Sequence, residues 1–397
     1  MTKLGRIALL TTLCCALANA ARGAEDDQDI GTIGVVRPSS GFTAPVPVCI
    51  TGFNGEVDRA FRFDMFFNGF INVGQDKALY SIQGANEAGR VEARVINLAT
   101  KSQVYGKAFA GSNPRGQTHA LADDICQALA QRPGIAQSKI AFKAEVTGYG
   151  NGEVAVSDYD GFNPQLVTHD NTIVAAPCWG GRSKLFYASY KFGRPEIFSQ
   201  DLGSGARKPV ARFPGSNITP AVSPDGTKLA MILSKDGSPN LYVSDLNGGN
   251  LRRLTTTHDG ESCPCWSPDS QTICVVSRAA GSRPSLYTIP AAGGALKRLY
   301  VAGVSSPTEP DWSPDGKWIA FTANMGSFQI CIVPAAGGNA TPLVAGEDPV
   351  WASNSRVILF TQSKGGKHVL SLLDVPTKIV KDASRITGHA AQPSWAR

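Results

Sequence analysis

From residue 140 to the C-terminus, strand-length runs of five or six mostly apolar residues recur, as in Lys228-Leu229-Ala230-Met231-Ile232-Leu233 and Trp318-Ile319-Ala320-Phe321-Thr322. Bounded by turn residues at each hairpin, such runs are read as strands of an antiparallel sheet. Each run follows an apolar anchor that opens a tight turn. The anchors are Trp179, Val222, Trp266, Trp312, Trp351 and Trp395, spaced 43, 44, 46, 39 and 44 residues apart. After the turn-and-strand come a second strand ending in a Gly turn (Asn240–Asp245 before Gly248-Gly249) and a short third strand leading to the next anchor (Leu251–Leu254). With the anchor strand, each unit holds four strands in meander order. A period of about 40–50 residues with this content predicts propeller blades.

The two ends of the repeat region complement each other. Ile140 to Val146 reads as a second strand with no anchor before it, and Gln392-Pro393-Ser394-Trp395 is an anchor strand with nothing after it. Pairing them makes one more full blade and closes a ring of six, which removes open sheet edges. The Ser-Pro-Asp-Gly turns that follow several anchors carry a carboxylate. Pro fixes φ, Gly supplies positive φ and Asp caps the backbone, so the turns are read as structural. The Trp anchors are read as packing between blades.

Residues 21–137 lack the repeat. They open with an acidic stretch, Glu25-Asp26-Asp27-Gln28-Asp29, then a short apolar strand, Ile33-Gly34-Val35-Val36. Strands are predicted at Val46–Ile50, Tyr80–Gly84 and Val91–Leu98, with a helix or turn rich in aromatics at Phe61–Phe70. A helix is predicted from about Gln117 to Gln131, because Ala122, Ile125, Cys126 and Leu129 share a face. Arg132-Pro133-Gly134 ends it and begins a linker. The predicted fold is therefore an α+β two-domain chain: a small N-terminal α/β domain (21–137), then a six-bladed β-propeller (138–397) closed by the C-terminal strand.

Before both lies a segment with its own grammar. Lys3 and Arg6 precede an apolar run from Ile7 to Ala18, and Ala18-Asn19-Ala20 is a small-x-small cleavage site. The run is too short for a membrane span. Residues 1–20 are read as a cleaved secretory signal, so the mature protein is expected to be exported and soluble. Loss of Lys3 and Arg6 lowers the net charge from +6 to +4. The basic residues are scattered, which argues against nucleic acid as a partner.

Seven cysteines remain after cleavage, at 49, 126, 178, 263, 265, 274 and 331. Cys178 and Cys265 stand at the same repeat position and read as small buried apolar residues. Cys263-Pro264-Cys265 is too tight for a comfortable bridge, so mostly buried thiols are expected. The five histidines, 119, 169, 258, 368 and 389, offer no pair with ligand spacing, so neither a metal nor a cofactor is expected. His119, at the start of the predicted helix, is read as a packing or capping residue.

Three stretches carry a family resemblance. They are His119-Ala120-Leu121-Ala122-Asp123-Asp124-Ile125 leading through Gly134-Ile135 to Lys139–Phe142; Val156-Ser157-Asp158-Tyr159-Asp160-Gly161; and Asp225–Ala230 with Ser234–Tyr242. In this order, before six blades, they resemble the TolB family, periplasmic components of the Tol–Pal system of Gram-negative bacteria. The resemblance implies a scaffold without catalytic activity that maintains outer-membrane integrity and supports cell division. It implies that the lipoprotein Pal is bound on the propeller face where the chain enters each innermost strand, and that the inner-membrane protein TolA is bound through the mature N-terminus. By matched position, the Pal-facing residues are Ser216, Asn217, Thr219, Glu261 and Ser262; the TolA segment includes Asp29, Ile30 and Ile33. Ser216 replaces a His found in family members, and the N-terminus here is more acidic.

No Gly-x-Ser-x-Gly elbow, phosphate loop or zinc motif occurs. One competing reading is a propeller-type polysaccharide lyase or hydrolase, with Glu261, Glu309 and His389 converging on the channel face. Another is a TolB-like protein with a different envelope partner. His258 and His389 are placed in loops at the channel mouth.

Overall fold

The computed structural model describes residues 41–397 except 88, 146–150, 280, 282, 384, 386 and 387. The secretory signal, the acidic stretch, the segment Ile33–Val36 and the end of the predicted strand at Val146 lie outside the described residues.

The first part is a five-stranded sheet with two helices. The elements are β1 (Val46–Thr51), α1 (Gly55–Phe67), β2 (Phe70–Asn72), β3 (Tyr80–Glu87), β4 (Arg90–Asn97), β5 (Ser102–Ala110) and α2 (Pro114–Ala130). The sheet order is β2-β1-β3-β4-β5. β1 runs parallel to both neighbours, and the other pairs are antiparallel. The aromatic run resolves as α1, which buries Phe61, Phe63, Phe66 and Phe67. α2 begins three residues earlier than expected. Asn113 caps it by accepting from Gly116 N at 3.0 Å, and Pro114 occupies the first helical position, where its missing N–H costs nothing. His119 lies in the second turn and is no cap. Left-handed Gln131 ends the helix just before Pro133.

Each of the six blades is a four-stranded antiparallel meander. The innermost strands are His389–Trp395, Val174–Trp179, Asn217–Val222, Glu261–Trp266, Thr308–Trp312 and Glu347–Trp351, for blades 1 to 6. All six anchors end these strands. In blade 1 the C-terminal strand pairs with Lys139–Glu145, with Trp395 opposite Ile140 and His389 opposite Glu145. The complementary half-repeats therefore close the ring.

The anchors do pack between blades. Trp179 Nε1 donates to Ser394 O of blade 1 at 3.1 Å, and Trp266 Nε1 to Ala221 O of blade 3 at 2.8 Å. The Ser-Pro-Asp-Gly turns bond to themselves: Asp225 Oδ1 accepts from Ser223 Oγ (2.5 Å) and Thr227 N (3.0 Å). The Ser223 hydrogen bond, ahead of a smaller opposing effect of burial, holds the Asp225 carboxyl below the usual range. Each such turn also reaches the next. Asp225 N donates to Ser270 Oγ and Asp315 N to Ser355 Oγ. Ser270 and Ser355 have φ of 61° and 54°. All seven described cysteines are free thiols.

One hydrophobic cluster runs from the sheet and helices into blades 1 and 6, joining Phe63, Phe67 and Leu121 to Tyr159, Leu372 and Trp395. The chain before β1 is pinned to the propeller as well. Phe42 stacks on Trp318 with centroids 5.4 Å apart, and Arg356 Nη1 donates to Thr43 O at 3.2 Å.

Candidate functional site: the ring at the channel face

The innermost strands share a feature beyond their anchors. Three residues before each anchor stands a non-glycine residue in the left-handed region: Ala176, Thr219, Cys263, Glu309, Asp348 and Gln392, with φ between 46° and 53°. Each is followed by proline: 177, 220, 264, 310, 349 and 393. The pairing register shifts at this point in all six strands. Six bulges therefore encircle the axis at one level. A bulge turns a side chain out of the alternation, and proline removes the N–H that a regular ladder would have needed.

Hydrogen bonds run round part of this circle. Asp348 N donates to Glu309 Oε2 (3.2 Å), Gln392 N to Asp348 Oδ2 (3.1 Å), and Ala176 N to Gln392 Oε1 (2.9 Å). The side chain of one blade thus satisfies the exposed amide of the next, across blades 5, 6, 1 and 2. Thr322 and Thr361 hydroxyls brace Glu309 and Asp348 at 2.6 and 3.1 Å. Burial, and then the Glu309 charge, push the Asp348 carboxyl up to about 7. Burial also raises Glu347. On the other arc, Thr219 Oγ1 is buried without a hydrogen-bond partner, and burial pushes the Cys263 thiol up to about 11.

Of the residues matched to the Pal face, Asn217, Thr219, Glu261 and Ser262 fall on the strands of this ring rather than in loops, and Ser216 lies in the loop just before its strand. Asn217 and Glu261 begin their strands and are 0% and 3% exposed. Asn217 Nδ2 donates to Phe213 O (2.8 Å) and to Pro195 O of blade 2 (3.1 Å). Glu261 accepts from the hydroxyls of Thr255, Thr257 and Ser277. Both are therefore internal braces of their own loops. Ser216, Thr219 and Ser262 are partly exposed. Ser216 N donates to Ser234 Oγ at 2.7 Å. Thr219 is the bulge residue of blade 3, and Ser262 directly precedes that of blade 4. Asp29, Ile30 and Ile33 lie outside the described residues.

The acids and histidine considered for catalysis are each engaged elsewhere. Glu309 belongs to the ring, Glu261 is held by three hydroxyls, and His389 lies in a strand with its ring 5.8 Å from that of His368. Among the described residues, no hydrogen bond or ion pair joins any two of the three. The six residue-then-Pro pairs, not singled out in the sequence above, repeat there at a fixed distance from the anchors. A buried cluster of Asp64, His119 and Asp160, with three ligand-type atoms within 4.8 Å of one another, has no such repeat to mark it.

This architecture, a helix-backed sheet leading into a six-bladed propeller closed by its C-terminal strand, defines a class of propeller proteins. The PD40 family, described as the TolB beta propeller domain, matches residues 126–397. The Tol-Pal system protein TolB of Bordetella pertussis is 32% identical over 313 residues, covering 77% of this chain and 70% of that protein. The Bordetella bronchiseptica protein of the same name gives the same figures. The crystal structure of TolB from Acinetobacter baumannii is 22% identical with a TM-score of 0.78, covering 91% of this chain and 98% of that one. The chain belongs to the TolB family.

Proposed function

We propose that the mature chain is a non-catalytic periplasmic scaffold of the Tol–Pal system, binding Pal through the channel face of the propeller and TolA through its N-terminal segment. In this reading residues 1–20 are a cleaved signal, 21–137 form the N-terminal domain and 138–397 the propeller. The role served is outer-membrane integrity and cell division. The observation that carries the reading is family membership over most of the chain, with curated relatives named as Tol-Pal system proteins. No helix among the described residues is long and apolar enough to cross a membrane.

The channel face suits a partner for a physical reason. Proline and the left-handed bulges hold its rim rigid, so little conformational entropy is lost on docking. The partly exposed small hydroxyl residues Ser216 and Ser262 allow a close approach. Asn217 and Glu261 support this face from beneath, and their contribution to binding is indirect. The test is titration of purified Pal and of the TolA periplasmic domain against the mature protein, followed by calorimetry. Saturable binding of Pal supports the scaffold reading. Failure of Pal to bind, with recovery of a different envelope protein from extract, supports the alternative partner.

A further inference from the structure

The joint between the N-terminal sheet-and-helix unit and blade 1 contains a buried ionic cluster. Asp64 comes from α1, Arg115 and His119 from α2, and Tyr159 and Asp160 from the turn after the strand Glu153–Asp158. The four charged side chains are all less than a tenth exposed. His119 Nδ1 and Asp64 Oδ2 are 2.7 Å apart, so Nδ1 carries a proton and donates it to the carboxylate. Tyr159 donates its hydroxyl to the other oxygen, Asp64 Oδ1, at 2.6 Å. Arg115 Nη2 donates to Asp160 Oδ2. The remaining ring nitrogen, His119 Nε2, lies 3.7 Å from that same oxygen, is buried and has no hydrogen-bond partner.

This geometry distinguishes the two charge states of His119. With Nδ1 protonated, a neutral ring would aim the Nε2 lone pair at the Asp160 carboxylate. An imidazolium aims an N–H there instead. Charge balance agrees. Among the buried side chains, two carboxylates against one guanidinium leave one uncompensated negative charge, the Glu56 carboxylate on Arg115 being mostly exposed, and an imidazolium removes it. A divalent cation in the same place would sit beside the Arg115 guanidinium and displace the Tyr159 hydroxyl. We propose that this cluster is a charge-balanced latch fastening the N-terminal unit to the propeller, closed by the proton on His119.

The surroundings fit a latch. Arg115 also reaches Glu56 at the start of α1 (3.2 Å) and stacks over the Phe162 ring, whose centroid lies 4.1 Å from the Arg385 guanidinium carbon. Asp123 is the remaining acid nearby, and it is occupied by Asn68 and by the amides of Ala136 and Gln137. Tyr159 packs against Trp395, the anchor that closes the ring, with centroids 6.0 Å apart. Burial alone would lower the His119 pKa. The Asp64 charge and hydrogen bond, with Asp160, outweigh it against an opposing effect of Arg115, and the value is pushed up to about 9. A base whose pKa is raised on folding adds stability that is fully present below its unfolded value of about 6.5 and is lost as pH rises through the folded value. The latch is therefore closed at neutral pH and opens near pH 9.

Imidazole NMR of the wild-type protein tests the charge, and scanning calorimetry tests the latch. Imidazolium shifts are expected for His119 at pH 7.5, titrating near 9. One calorimetric transition is expected at pH 7.5, separating into two near pH 10. His119→Gln keeps a donor toward Asp64 but loses the charge, and should give two transitions already at pH 7.5. If that variant does not fold, the wild-type pH series decides alone. A neutral ring at pH 7.5, a single transition that persists through pH 10, or a folded His119→Gln variant with one unshifted transition would each overturn the proposal. Added zinc and added chelator should leave the wild-type melting temperature unchanged; a rise with zinc would reassign the cluster as a metal site.

Discussion

Tyr159 and Asp64 lie 95 positions apart in the chain, and their side chains meet in a 2.6 Å hydrogen bond inside the joint between helix α1 and blade 1. Both residues are fully buried. The phenol's pKa is raised well above its usual value by burial and then by the Asp64 and Asp160 charges, so it acts as a donor at all ordinary pH. Replacing Tyr159 by Phe removes the donor and leaves a buried carboxylate oxygen unpaired. The expected cost is about 1–3 kcal/mol, read as a lower urea midpoint with unchanged m-value.

Ring closure depends on Trp395. It is buried, packs on Tyr159 and donates from Nε1 to Ser138 Oγ at 2.7 Å. Trp395→Ala should cost about 3–5 kcal/mol and lower the melting temperature by roughly 5 °C. Deleting Gln392 to Arg397 should cost more, because the strand Lys139–Glu145 then loses part of its inner partner.

Asp348 predicts an unusual pH dependence. Its carboxyl is raised on folding, to about 7. The folded protein therefore holds a proton that the unfolded chain releases near pH 4. Stability from this group falls as pH rises from about 4 to about 7. Asp348→Asn keeps an oxygen for Gln392 N and Thr361 while removing the charge. Relative to the wild type it should be more stabilising at pH 8 than at pH 5. Urea unfolding at both pH values checks the sign.

Gly52 has a φ of 91°, and a Cβ built there would stand 2.1 Å from Gly84 O on the neighbouring strand β3. Since the obstacle is backbone, Gly52→Ala should separate β1 from β3 or strain both, at a cost of about 2 kcal/mol or more. Thermal melting of the variant measures it.

Much of the propeller was legible because its signal is local and repeated. The anchors set the blade period, and the two half-repeats at Ile140 and Trp395 set the count and the closure. α2 was legible from its apolar face, but its start was missed because Asn113-Pro114 lies upstream of the first periodic residue. The partner face was read less well. Asn217 and Glu261 stand in polar stretches that resemble loops, and only the fold shows them turned inward onto Pro195 and Thr255. His119 was assigned to local packing because its partners, Asp64 and Asp160, lie 55 residues before and 41 after it. No local pattern encodes such a meeting.

The N-terminal segment gives a separable prediction. Up to Asp29 it is too polar to bury much surface by itself. A mature protein starting at Gly34 should keep the wild-type melting temperature and Pal affinity and lose TolA binding. Titration with both partners reads all three.

Under the proposed function, Pal is expected to dock where the chain enters the innermost strands. Thr219 is a compromised probe, being a left-handed bulge residue with a buried hydroxyl, so Ser216 and Ser262 serve better. Both are partly exposed, and arginine at either would place a bulky charge in the contact. Calorimetric titration of Pal against Ser216→Arg and Ser262→Arg, each with a wild-type melting curve, is the most direct measurement. At least tenfold weaker binding is expected for one or both, about 1.4 kcal/mol. Wild-type affinity in both folded variants would contradict it.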